Sequence, residues 1–359
     1  MEIKHILDLP PTENNPRNSE GSFLALRDGR IAFAYSRYRG DSAHDEAYCE
    51  VAAIFSSDGG GSFSDYRILA KPNPTKGETN YMSVSLLRLG DGSAGLFYLI
   101  KHEGLWSEVV LRRSVDELDT IGDEIRCVPD RYRNYYVINN DRILKTADGR
   151  LVAPVALHMT GMNHYIDYDL YESRAKAEFY VSSDDGFTWR RASDAIGLPS
   201  SAYSHSGLQE PGVVELAGGV LYSYFRTDLG RHYESVSIDG GENWFAPQPS
   251  KFTGPCSPLL IKKNPFSGEY FAVWNPIPHA PTLERSWDGG RSPLVIARSR
   301  DGVSFSAPEI IEDSKTAGYC YPALHFMSEN EALLSYCAGD SSLGDSGCLV
   351  RTRIVKLTL

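Results

Sequence analysis

The chain has 359 residues, with 36 Lys and Arg against 47 Asp and Glu, and a net charge of -11 at pH 7, which argues against a nucleic-acid or anionic-membrane partner. Its hydrophobic share of 42% is ordinary for a globular protein, while 32 Gly, 20 Pro and 21 Tyr favour strands and turns over long helices. No apolar stretch approaches a membrane span, and the charged residues of Met1–Asp8 interrupt what would be the apolar core of a signal peptide, so a cytoplasmic protein is expected.

In chain order, a first strand region opens at Arg17, within Asn15-Pro16-Arg17-Asn18-Ser19-Glu20. A second strand covers Arg30 to Tyr35 and is closed by Arg37 and Arg39, followed by a polar loop that holds Asp45. Residues 93–100, 219–225 and 332–336 are further β-rich runs, each after a Gly- or Asn-containing turn and rich in β-branched and aromatic side chains. The second of these ends on Arg226, and Arg291 precedes another apolar run, Ser292 to Ala297. Residues 80–85, 135–142 and 226–231 are dense in polar and aromatic groups and are expected to face a ligand.

Between these runs one turn recurs. Residues 56–63, 182–189 and 237–244 share Ser, Asp two positions on, Gly four on and an aromatic seven on. Residues 299–305 are a shortened copy, and Ser114-Val115-Asp116-Glu117 is a decayed one. The Asp can accept hydrogen bonds from the backbone N–H groups just ahead of it, Gly supplies positive φ, and the aromatic gives the loop an apolar anchor. A spacing of about 60 residues gives about six units in a chain of this length. The fold class is therefore all-β, a six-bladed β-propeller with four-stranded antiparallel blades, forming one domain over residues 1–359. Two separate β-sandwiches are the alternative, but no linker or composition shift marks a boundary between them. The boxes are expected on the outer rim, with no catalytic role for Asp58, Asp184, Asp239 or Asp301.

The six cysteines, at 49, 127, 256, 320, 337 and 348, have neither CxxC spacing nor a partnering His. They read as reduced, buried thiols rather than a metal site or a disulfide framework, and no metal or cofactor is expected.

Boxes, period and arginines together resemble the sialidase (neuraminidase) superfamily over essentially the whole chain. The resemblance implies a glycosidase in which three arginines from different blades hold the substrate carboxylate, here Arg17, Arg226 and Arg291, with Arg37 or Arg39 in support. It implies Tyr321 as nucleophile, with Tyr319 as competitor, Glu210 as the carboxylate that assists it, and Asp45 as acid/base. Arg226 follows Glu210 by sixteen residues, and Arg291-Ser292-Pro293-Leu294 leads into a box, as the family pattern has it. Arginine suits a carboxylate clamp because its planar fork pairs bidentately and keeps its charge when buried. A phenol needs a base to become a nucleophile, and an acid at Asp45 needs a raised pKa.

The chain departs from the family at Arg17, where the usual Arg-Ile-Pro is replaced by Arg17-Asn18-Ser19-Glu20, placing another carboxylate nearby. The implied substrate is an acidic glycan, with sialic acid or a related acidic sugar at its end. Two alternatives stay open on the same fold. One is a lyase acting on a uronic acid through a Tyr or one of His44, His102, His158 and His205; the other is a carbohydrate-binding propeller without catalysis.

Overall fold

A computed structural model describes residues 1–129, 134–160, 171–199, 204–278 and 290–359. No α-helix occurs among them. The strands run in order as β1 (Glu2–Leu9), β2 (Asn18–Ala25), β3 (Ile31–Tyr38), β4 (Cys49–Ser56), β5 (Ser64–Ala70), β6 (Glu78–Arg88), β7 (Ala94–His102), β8 (Trp106–Ser114) and β9 (Glu124–Arg126). They continue as β10 (Tyr135–Val137), β11 (Leu144–Lys145), β12 (Leu151–His158), β13 (Lys176–Ser182), β14 (Arg190–Ile196), β15 (Gln209–Glu215), β16 (Leu221–Arg226), β17 (Arg231–Ser237) and β18 (Gln248–Thr253). The last are β19 (Leu260–Lys263), β20 (Tyr270–Trp274), β21 (Leu294–Ser299), β22 (Glu309–Glu312), β23 (Ala317–Phe326), β24 (Glu331–Asp340) and β25 (Arg351–Thr358). The four runs expected as strands fall on β3, β7, β16 and β24.

The chain is an all-β propeller of antiparallel meanders. Among the described residues its strands pair into five sheets, one of them eight-stranded. Within that large sheet, β2–β5 and β6–β9 are two meanders joined by a single parallel pairing of Cys49 with Asn80. The last sheet runs β23, β24, β25 and then β1, so the N-terminal strand closes the ring beside the C-terminal one.

The boxes occupy equivalent places, at the turns from β4 to β5, β8 to β9, β13 to β14, β17 to β18 and β21 to β22. In each, the Ser hydroxyl donates to the Asp carboxylate at 2.7–2.9 Å, and a backbone N–H three or four residues on donates back to the Ser oxygen at 2.8–2.9 Å. The decayed copy at Ser114 keeps this pattern, with Leu118 at φ 71° where the full copies have Gly. In the last sheet the equivalent place lies beside the paired residues Glu2 of β1 and Thr358 of β25.

The box aromatics reach further than a local anchor. Trp189 and Trp244 donate through Nε1 to the glycine carbonyls of their own boxes, both at 3.0 Å. Their rings pack on the preceding meander, Trp244 stacking on Phe179 at 4.1 Å and Trp189 meeting Phe97 edge-on at 6.2 Å. The core lies between neighbouring sheets; for example Phe97, Leu99 and Val109 pack with Leu151, Val155 and Tyr180. Burying these faces against each other supplies most of the stabilisation.

The first strand of four meanders carries a non-glycine residue in the left-handed region: Glu20 (φ 48°), Ser83 (φ 60°), Glu210 (φ 47°) and Tyr321 (φ 52°). At each the pairing register slips, which is the signature of a β-bulge that re-aims a side chain. Such backbone costs of order 1–3 kcal/mol per residue and persists where packing enforces it. At two of these bulges the enforcing contact is a ring. A Cβ on Gly21 would lie 2.2 Å from the Phe33 ring, and one on Gly212 would lie 2.2 Å from the Tyr224 ring.

Candidate functional site

The four bulges converge on one cavity of about 290 Å³, lined by Glu20, Ser83, Glu210 and Tyr321, together with Asn139, Arg226, Arg291, Asp45, Lys101, Tyr135, His158 and Tyr171. Its residues come from loops and strands far apart in sequence, and the bulges turn their side chains toward the common axis.

On one wall, the Tyr321 hydroxyl donates to Glu210 Oε1 at 2.8 Å, and Arg226 Nη1 donates to the same oxygen at 2.6 Å and to the Tyr321 oxygen at 3.3 Å. Arg226 also reaches Cys256 Sγ through Nε at 3.1 Å. Arg291 lies beside them, its guanidinium 5.8 Å from the Tyr321 ring centre. Its hydrogen-bond acceptors are Cys320 Sγ at 3.2 Å, Cys348 Sγ at 3.4 Å and the Cys256 carbonyl at 3.5 Å. Thiols are weak acceptors, and no carboxylate pairs with Arg291 among the described residues. Among the described residues the wall therefore sets two guanidinium groups against the single carboxylate of Glu210.

Burial pushes the Glu210 carboxyl up, but Arg226, the Tyr321 hydroxyl and Arg291 outweigh it and hold its pKa below the ordinary value. Burial, reinforced by Glu210, pushes the Tyr321 phenol well above its usual range, against the pull of the two arginines. The resting state is thus a neutral phenol bonded to a carboxylate that is placed to accept its proton.

The opposite wall is organised by Arg17, which is only 2% exposed and does not line the cavity. Its Nη1 donates to Asp45 Oδ1 at 2.5 Å and to the Ala43 carbonyl at 3.2 Å, while Nη2 donates to Ser19 Oγ at 3.2 Å and to Glu20 Oε1 at 3.4 Å. The guanidinium sits 4.5 Å over the Tyr38 ring. Two carboxylates thus stand between Arg17 and the cavity. The structure brings Arg226 and Arg291 together and leaves Arg17 behind Glu20 and Asp45, so the expected three-arginine clamp has two members at the cavity surface.

The three carboxyl groups differ in charge state. Burial raises Asp45, but the Arg17 charge and hydrogen bond outweigh it and keep its pKa low. Burial dominates at Glu20 and, with Asp45 and Glu210 nearby, pushes it up to about 7 in spite of Arg17 and Ser83.

Arg37 and Arg39 are turned elsewhere. Arg37 pairs across the β3–β4 ladder with Glu50 at 2.7 Å and covers the Tyr66 ring; Arg39, 47% exposed, approaches the same Glu50 at 3.9 Å. Strand alternation puts Ser36 and Tyr38 on the inner face and sends Arg37 to the other. Tyr319 is likewise outside the cavity, packed edge-on to Tyr336, because the bulge after Cys320 turns only Tyr321 inward. Of the candidates His44, His102, His158 and His205, His158 lines the cavity, where burial lowers its pKa and leaves it neutral, with Tyr171 Oη 3.0 Å from Nδ1. His102 stacks on Trp106 instead.

Sequence reasoning missed Lys101, buried in the second wall, whose Nζ donates to the Asp45 carbonyl at 2.9 Å and to Glu46 Oε1 at 2.8 Å. It also gave Ser83, Tyr135 and Asn139 no individual role. Their polar-aromatic segments did mark them as ligand-facing, and Met82, Ser83, Tyr135, Val137 and Asn139 all line the cavity. Lys101 sits at the end of an apolar strand and carries no local signal.

The BNR repeat-like domain family matches residues 83–333. In structure the chain is similar to a protein of unknown function from Dyadobacter fermentans DSM 18053, with a TM-score of 0.73 and 16% identity over 99% of both chains. It is similar to the Hadza microbial sialidase Hz136, with a TM-score of 0.69 and 16% identity over 96% of this chain and 66% of that one. It is similar also to the NanB sialidase of Streptococcus pneumoniae, with a TM-score of 0.70 and 12% identity over 99% of this chain and 70% of that one. No curated protein matches it in sequence. The chain spans about two thirds of the length of the two sialidases, and identities this low speak for the fold alone. With the family match running over most of its length, the chain belongs to the BNR repeat-like domain family, and it shares the fold of the sialidase propellers.

Proposed function

We propose that this protein is an exo-acting glycosidase that hydrolyses a terminal acidic sugar, sialic acid or a related one, from a glycan, through a tyrosine nucleophile. We read the eight-stranded sheet as two blades, which makes a six-bladed propeller, and the whole of residues 1–359 as one domain. The observation that carries the functional reading is the Tyr321–Glu210–Arg226 contact set, with Tyr321 Oη and Arg226 Nη1 both within 2.8 Å of Glu210 Oε1. Arg291, paired only with thiols and a carbonyl among the described residues, supports an anionic substrate.

The substrate carboxylate would be held by Arg226 and Arg291, with the anomeric carbon against Tyr321. Tyr321 attacks as Glu210 takes its proton, the glycosidic bond breaks, and an acid on the second wall protonates the departing oxygen. The family resemblance gives that role to Asp45, which lines the wall. Water then releases the sugar from Tyr321. A neutral nucleophile suits this substrate because a carboxylate nucleophile would be repelled by the substrate's own charge.

A lyase acting on a uronic acid is the second reading, favoured by His158, a neutral imidazole in the same cavity. Incubation with a panel of sialosides and uronides, followed by product analysis, separates the two. Release of the intact acidic sugar is expected. An unsaturated uronide product, or no turnover of any panel member, would end the glycosidase reading.

A further inference from the structure

We propose that Glu20, rather than Asp45, is the acid that protonates the leaving oxygen and the base that later activates water. This rests on the glycosidase reading above and assigns the one role there that the geometry of Asp45 fits poorly. Asp45 is bound by Arg17 at 2.5 Å and lies on a loop with its side chain 55% exposed. A carboxylate so paired is ionised and has no proton to give.

Glu20 has the opposite surroundings. Its side chain is 4% exposed and stands at a bulge of the innermost strand β2, with the cavity in front of it. Oε2 accepts from Ser83 Oγ at 2.8 Å, while Arg17 reaches Oε1 only at 3.4 Å. The single guanidinium thus serves two carboxyl groups unequally, tightly at Asp45 and loosely at Glu20. The groups facing Glu20 are Arg17 from the same strand, Asp45 from the loop after β3, Glu210 from β15, Tyr321 from β23, and the Cys337 thiol of β24, which accepts from the Glu20 N–H at 3.2 Å. Tyr38 and Cys49 lie behind it. Only Arg17 is cationic in that set, and its shorter contact is with Asp45, consistent with a Glu20 that holds its proton up to about pH 7.

The atoms balance with no further reactant than water. In the first half, the Tyr321 oxygen bonds to the anomeric carbon, the Tyr321 proton passes to Glu210, the C–O bond to the aglycone breaks, and the Glu20 proton goes to the leaving oxygen. In the second half, water bonds to the anomeric carbon and gives a proton to Glu20. The bond to Tyr321 breaks as the water oxygen bonds, and the phenolate recovers its proton from Glu210.

The test uses paired methyl and 4-nitrophenyl glycosides of N-acetylneuraminic acid and of glucuronic acid, because nitrophenolate leaves without a proton and methoxide does not. We expect Glu20→Gln to lower kcat/KM on the methyl glycoside by about 10²- to 10⁴-fold while changing the nitrophenyl glycoside by no more than about threefold. In the wild type, kcat/KM on the methyl glycoside should fall as pH rises through about 7, and that limb should be missing in the variant. Asp45→Asn should slow both glycosides alike. Wild-type turnover with the leaving-group-dependent loss in Asp45→Asn would overturn the assignment and leave the glycosidase reading standing. An equal loss on both glycosides in Glu20→Gln would overturn it too. A wild type that hydrolyses neither pair brings down both readings. Should Glu20→Gln fail to fold, infrared spectra of wild-type protein labelled with ¹³C-glutamate decide: a protonated glutamate carbonyl lost between about pH 6 and 8 supports the assignment, and its absence at pH 6 refutes it.

Discussion

At the outer turns, five copies of a Ser–Asp pair close on the backbone of their own loop with nearly identical hydrogen bonds. At the inner strands, four copies of a left-handed bulge carry Glu20, Ser83, Glu210 and Tyr321, side chains of three kinds that bond to one another across meanders, Ser83 to Glu20 and Tyr321 to Glu210. Both are repeats. The outer one repeats side chain and backbone together, because each loop must satisfy itself within eight residues. The inner one repeats backbone alone, which leaves the side chain at each bulge to serve the cavity. The propeller thus keeps its self-contained turns and its cavity-facing side chains on separate repeats.

The largest expected effect is at the inner repeat. Tyr321→Phe removes one hydroxyl and should lower turnover of the hydrolysed glycoside at least about a thousandfold, with the fold unchanged by circular dichroism. Full activity in that variant would strip Tyr321 of its role. Arg226→Met should be costly for stability as well, since it leaves Glu210 buried beside Tyr321 without its 2.6 Å partner. Urea denaturation should show a loss of about 3–5 kcal/mol, and adding Glu210→Gln should recover part of it; a loss of less than about 1 kcal/mol would mean that water already solvates Glu210.

Glu20 links the inner repeat to pH. Its carboxyl rises from an ordinary 4.5 to about 7 in the folded chain, so between those values the native state binds more protons than the unfolded one. Its contribution is then fully present below about pH 4.5 and is lost as pH rises through about 7, on the order of 3 kcal/mol in all. Thermal denaturation of wild type and Glu20→Gln across that window should diverge accordingly, and parallel curves would contradict it.

The smallest effect is at the outer repeat. Asp239→Ala removes the acceptor of bonds from Ser237, Asn243 and the Glu242 N–H at an exposed turn, and should cost about 1–2 kcal/mol in urea titration without altering kcat/KM. A loss of activity at matched folded fraction would break the separation between the two repeats. The Asp239 pKa is held at about 2 by Asn243 and its neighbours, so the stabilisation it brings is present above about pH 4 and fades as pH falls toward 2.

The outer turns were legible from residues alone, down to the decayed copy at Ser114, because their hydrogen bonds run between neighbours in sequence. The strands they connect were legible too, through β-branched and aromatic runs between turn residues. Glu210, Tyr321, Arg226 and Arg291 could be marked as candidates by family-like spacing, and all four line the cavity. Arg37 and Arg39 misled, since strand alternation and the cross-strand partner Glu50 decide where they point. Arg17 was placed in the right neighbourhood, with Glu20 three residues on, but its pairing with Asp45 depends on a loop folding back 28 positions along the chain.

By itself the sequence determined a propeller built on a recurring outer turn, and it marked the polar segments that face the axis. Tertiary structure alone decided which arginines reach the cavity, which of two tyrosines turns inward, and which carboxyl keeps its proton. The reason is range. Turn chemistry is settled within a few residues, whereas a buried charge takes its state from every charge and hydrogen bond that distant strands bring within a few ångströms.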